Sequence, residues 1–187
     1  MNDRLFLILH GWQGSGPDHW QTWLAERLGE DARYPALPEP DTPRLDDWLD
    51  ALHSELERAA GHRCVVICHS LSCVLWLHHA RQASGTQVER VLLVAPPSES
   101  VDSPDLDGFF PLAARAADLK RGAVSTRLVC SDDDPYCPEG AREIYGIPLG
   151  IETDLLPGAG HINPAAGYGP WPALERWCLD GSGPLSA

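Results

Sequence analysis

The chain has 187 residues, 43% of them apolar with seven Trp, and sets 14 Lys and Arg against 27 Asp and Glu for a formal charge of −13. That length suits one domain with a sizeable buried core, expected over residues 1–180, and the apolar content excludes a disordered chain. So acidic a balance repels phosphate backbones and excludes nucleic acid as a partner. No apolar run approaches the roughly 20 residues that span a bilayer. The first ten residues lack the apolar core and small-residue cleavage site of a secretory leader. A cytoplasmic protein with no membrane partner is expected. Cys64, Cys68, Cys73, Cys130, Cys137 and Cys178 have no CxxC spacing and read as buried thiols.

In chain order, β-branched apolar runs alternate with helical periodicity, the pattern of a mostly parallel sheet with helices on both faces. Residues 5–9 (LFLIL) predict the first strand, followed by a glycine-rich loop over 10–18. Trp20, Trp23, Leu24 and Leu28 recur at helical spacing over 19–28. A weak second strand over 32–35 precedes a proline-rich loop over 36–43. Asp41 or Thr42 is expected to cap the next helix with Pro43 in its first turn, Trp48, Leu49, Leu52 and Leu56 on its buried face, and Gly61 at its end. Residues 64–68 (CVVIC) carry no charge, as a central strand buried on both faces should. A helix over 71–83, a strand over 91–95 and an irregular stretch over 97–125 follow, the last with one helix at 112–120. Strands over 126–130 and 151–156 flank a short helix over 139–145, and a helix over 171–179 closes the chain before a frayed tail at 181–187.

Chemistry-bearing residues fall at the carboxyl ends of these strands, the edge where open α/β sheets build their sites. Ser70 lies between the 64–68 strand and the following helix, the position of a serine on a strained strand-turn-helix elbow. The turn crowds the residues two before and two after the serine, where glycine is usual; here they are Cys68 and Ser72. A serine hydroxyl needs a base to take its proton and an acid to orient that base. The run Ser131-Asp132-Asp133-Asp134-Pro135 follows the fifth strand, and Gly158-Ala159-Gly160-His161 follows the sixth. His161 is the candidate base. Asp134, just before proline, is the preferred acid; Asp102 is the alternative, and Asp132 and Asp133 read as solvated neighbours. Two backbone N–H groups should hold the oxyanion of acyl transfer, those of Leu71, after the nucleophile, and Trp12, in the His10-Gly11-Trp12 loop. That loop lacks the Gly-Lys-Ser/Thr ending of a phosphate loop. His10, Gly11, His69 and Phe109 are the candidate substrate contacts, although Phe109 and Phe110 equally suit plain packing. Adjacent His78 and His79 point to different faces and make a poor metal pair.

Taken together, HGWQGSGPDHWQTWL, CHSLSC, LVAPP, SDDDPYC and GAGHIN resemble the small serine hydrolases of the YdeN and retinoblastoma-binding protein nine type, over about residues 5–178 and in family order. The resemblance implies a compact α/β-hydrolase fold without the two leading strands of larger members. It also implies a triad of Ser70, Asp134 and His161. Six strands in the order 2-1-3-4-5-6 are expected, and the 97–125 stretch is too short for a full cap domain. Acylation and hydrolysis by such a triad need no metal or organic cofactor, and the short 97–125 stretch predicts a little-covered site that suits a small ester or amide. Two rivals stand beside this expectation. One is a binding protein on a catalytically weak fold, suggested by the altered elbow. The other is a thiol enzyme using Cys64, Cys68 or Cys73.

Overall fold

A computed structural model describes residues 3–84, 88–101 and 103–186. Six parallel strands, β1 (Arg4–Leu9), β2 (Ala32–Arg33), β3 (Arg63–His69), β4 (Val88–Val94), β5 (Ala123–Ser131) and β6 (Glu152–Leu156), form one sheet in the order β2-β1-β3-β4-β5-β6. The reversal of strand order lies between β1 and β3. There Leu9 pairs with Cys68, and His69 pairs onward with Val94. A ligand crevice is expected outside the carboxyl ends of the strands at such a reversal.

Side chains alternate across each strand, so the central strands feed two cores. Leu7, Leu9, Val66, Cys68, Leu93 and Leu128 face α2 (Leu45–Arg58) and α3 (Leu71–Gln82). Phe6, Ile8, Val65, Ile67, Leu92 and Val129 face α1 (Trp20–Leu28) and α6 (Pro172–Asp180). Between β5 and β6 a π-helical turn over Arg142–Gly146 runs into the short α5 (Ile147–Leu149). Burying one such aliphatic side chain is worth about 1.5–3 kcal/mol. With both faces covered, β3 has no room for a polar side chain between exposed Arg63 and His69.

Helix starts depart from expectation where local hydrogen bonds intervene. Thr42 donates its N–H to Glu39 O (3.0 Å) inside a tight turn, so α2 begins at Leu45 with extended Arg44 ahead of it. It ends at Arg58, before Gly61. The helix expected at 112–120 is α4 (Ala116–Gly122), because Asp118 accepts the N–H of extended Arg115 (2.9 Å) and fixes the start there. β5 follows it at once, three residues earlier than expected. Phe109 ends a short 3₁₀ segment, Pro104–Phe109, and is fully buried edge-on to Trp48 at 5.4 Å. The tail is not frayed at Leu185, which is fully buried and accepts the indole N–H of Trp171 at 3.0 Å. All six cysteines are buried and unpaired. No described helix is long and apolar enough to cross a membrane.

Candidate active site

β3 delivers Ser70 to the sheet edge, and the backbone must then turn at once into α3. Ser70 sits at φ 56°, ψ −125°, a conformation that costs a non-glycine residue on the order of 1–3 kcal/mol. Its surroundings hold it there. Its N–H donates to Val94 O (2.9 Å), and its carbonyl accepts from Cys73 N–H (2.9 Å). Ser72, where glycine is usual, is fully buried and contributes a staple. Its hydroxyl accepts from His69 N–H (2.9 Å) and is within donating distance of Leu9 O (2.8 Å) and His69 O (2.9 Å). The substitution thus ties the elbow to β1. Glycine is needed instead at Gly11, where a Cβ would lie 2.7 Å from Ser70 Cβ and 3.2 Å from its Oγ.

Two loops bring the other members to Ser70. Asp134 follows β5; its Oδ1 accepts Tyr136 N–H at 2.9 Å, which fixes the carboxylate in the Pro135 turn. His161 follows β6. Its Nδ1–H faces both Asp134 oxygens at 2.9 Å, and its Nε2 accepts from the Ser70 hydroxyl at 2.8 Å. Asp134 and His161 are both buried, at 4% and 8% exposure, so water competes little for these contacts. Asp132 and Asp133 do not reach the imidazole. They accept backbone N–H groups of the His161 loop instead, so they are not merely solvated. Asp102, the alternative acid, lies outside the described residues.

Ser70 opens into a cleft of about 310 Å³ lined by residues that include Trp12, His19, His69, Leu71, Tyr136 and His161. His69 lines this cleft. Its Nε2–H donates to His161 O (3.0 Å), and its ring lies between those of His19 and His161, at 4.8 and 5.0 Å. His10, a candidate substrate contact, does not line the cleft. Its Nδ1–H donates to Gly11 O (2.8 Å) and its Nε2 accepts Leu37 N–H (2.9 Å), which uses both ring nitrogens. Gly11 backs the nucleophile rather than lining the cleft, and Phe109 is core. A larger cavity of about 540 Å³, between α2, α3 and α4, shares no residue with this cleft.

Sequence reasoning missed His19 and Tyr136. His19 caps α1, its Nδ1 accepting Gln21 N–H (3.2 Å), a role an N-cap reading of the helix start could have found. Tyr136 packs over the His161 ring at 4.4 Å, which follows from its place two residues beyond Asp134. Burial, with His161 nearby, lowers the His19 pKa to about 4, and burial drives His69 well below 6.5, so both are neutral at pH 7. Burial also raises the thiols, Cys64 to about 12 and Cys68 and Cys73 well above the usual thiol range, which opposes a thiolate nucleophile. His78 donates to Phe109 O (2.9 Å) while His79 pairs with His53 (3.1 Å).

The chain as a whole resembles known proteins. The chain is 30% identical over 138 residues to YdeN, a protein of Bacillus subtilis (strain 168) named as a hydrolase, covering 70% of this chain and 71% of that one. The crystal structure of B. subtilis YdeN superposes with a TM-score of 0.79 at 23% identity, over 95% of this chain and 97% of that one. A YdeN-like hydrolase from Pectobacterium atrosepticum does so at 0.72 and 24%, over 94% and 89%. A family model described as serine hydrolase matches residues 6–178. The match spans most of the sequence, and the chain belongs to the serine hydrolase family, on a fold shared with solved α/β hydrolases.

Proposed function

We propose that the chain hydrolyses small, uncharged esters through an acyl-enzyme on Ser70, with His161 as base and Asp134 as the acid that orients it. The observation that carries this reading is the continuous contact from Asp134 through His161 to the Ser70 hydroxyl, at 2.9 and 2.8 Å. As Ser70 Oγ attacks the carbonyl carbon, its proton passes to His161 Nε2, and the Asp134 carboxylate stabilises the imidazolium. The carbonyl π electrons become an oxyanion. The N–H groups of Leu71 and Trp12 are its donors in this reading; both residues line the cleft, and Leu71 opens α3. Gln13 is less suited, since its N–H already donates to Pro40 O (2.8 Å). Collapse expels the alcohol, which takes the proton from His161. Water then attacks the acyl-enzyme with His161 as base, and the acid leaves as Ser70 regains its proton.

Substrate class follows from the cleft. Among its described lining residues there is no Asp, Glu, Lys or Arg, and His19 is neutral at pH 7. Nothing in the lining offers a charged substrate group an ionic partner. Esters rank above amides because an alkoxide leaves more readily than an amide anion. A series of p-nitrophenyl esters from acetate to octanoate tests this. Saturable turnover, best on the short acyl groups and lost in Ser70→Ala, is expected. Turnover that survives Ser70→Ala, or none on any ester, would overturn it.

A further inference from the structure

The backbone ladder between β5 and β6 ends at the pair Ser131 and Leu156, five residues short of His161. Beyond it the loop turns through Gly158 and Gly160, both at positive φ. Three consecutive N–H groups of this loop are nonetheless held by three consecutive side chains, the last of β5 and the two that follow it. Gly158 N–H donates to Asp132 Oδ1 (2.8 Å), Ala159 N–H to Ser131 Oγ (2.9 Å) and Gly160 N–H to Asp133 Oδ1 (2.7 Å). The Ser131 hydroxyl donates in turn to Asp133 Oδ1 at 2.5 Å. Side-chain oxygens thus continue the sheet ladder where its carbonyls run out.

Asp132 and Asp133 are exposed, so water could satisfy Gly158 and Gly160 in their place. What the carboxylates add is position. The imidazole must meet Asp134 and Ser70 at once, and its Cα follows Gly160 directly. We propose that Ser131, Asp132 and Asp133 are positioning residues for His161, a role that rests on the acyl-enzyme reading above. They act as fixed acceptors. Their charge is dispensable, because an asparagine carbonyl accepts the same N–H.

The test compares Asp132→Ala/Asp133→Ala with Asp132→Asn/Asp133→Asn. The readouts are the rate of Ser70 modification by a fluorophosphonate, the downfield NMR resonance of the His161 Nδ1–H, and the melting temperature. In the alanine pair the labelling rate should fall about tenfold or more, since angstrom-scale misplacement of a catalytic group has effects up to about 100-fold. The resonance should broaden or vanish while melting stays close to wild type. The asparagine pair should match wild type in all three. Wild-type labelling and resonance in the alanine pair would overturn the proposal, as would an asparagine pair that falls as far as the alanine pair. If the wild-type chain is not labelled at all, the acyl-enzyme reading fails. The resonance then decides the positioning role alone: loss in the alanine pair with retention in the asparagine pair supports it, and retention in both overturns it.

Discussion

At Gly11 and Ser72 the site depends on single atoms. A Cβ on Gly11 would stand 2.7 Å from Ser70 Cβ, closer than side chains tolerate, so Gly11→Ala must displace the nucleophile. We expect kcat/KM on a short ester to fall about 100-fold with the circular dichroism spectrum unchanged; full activity would contradict this. Ser72→Ala removes the acceptor of the buried His69 N–H. The expected loss is about 1–3 kcal/mol of unfolding free energy, read from urea titration, and an unmoved midpoint would contradict it. The family motifs alone place Ser70, Asp134 and His161 at the ends of apolar strand runs. Side-chain direction was not legible. His10 lies in a motif beside the site, yet its ring turns to Leu37 N–H. Asp132 and Asp133 looked solvated because their partners, the N–H groups of Gly158 and Gly160, lie more than twenty residues away in sequence.

For the elements, strand periodicity carried over well because buried parallel strands have few alternatives to a continuous apolar run. Helix starts carried over less well. Proline at 43 and the leucine at 112 suggested earlier starts than the Glu39 turn and the Asp118 cap allow. The tail misled for a different reason. Its composition is polar and glycine-rich, but one residue, Leu185, anchors it under Trp171. Leu185→Ala should therefore lower stability by about 2 kcal/mol, measured by chemical unfolding. A change within about 0.5 kcal/mol, as for an ordinary surface position, would show that the tail does not pack.

For the whole molecule, the two cores enclose several histidines that fold as neutral groups. His10, His19, His69, His78 and His79 all have pKa values pushed below 6.5, chiefly by burial, with His19 and His79 at about 4. A depressed histidine pKa means that the unfolded chain takes up the proton first. Their contribution to stability is complete above pH 6.5 and is lost as pH falls from 6.5 toward 4, on the order of 3 kcal/mol for a group shifted that far. Urea midpoints should drop steadily between pH 7 and pH 5; a flat profile would contradict the burial of these rings. The same strand order sets Ser70, Asp134 and His161 on one edge, and the proposed chemistry requires Ser70 as the nucleophile. Intact-protein mass spectrometry after fluorophosphonate treatment tests that most directly. One adduct per chain, mapped to Ser70 and absent from Ser70→Ala, is predicted. An adduct that persists in Ser70→Ala, or maps to another residue, would contradict it.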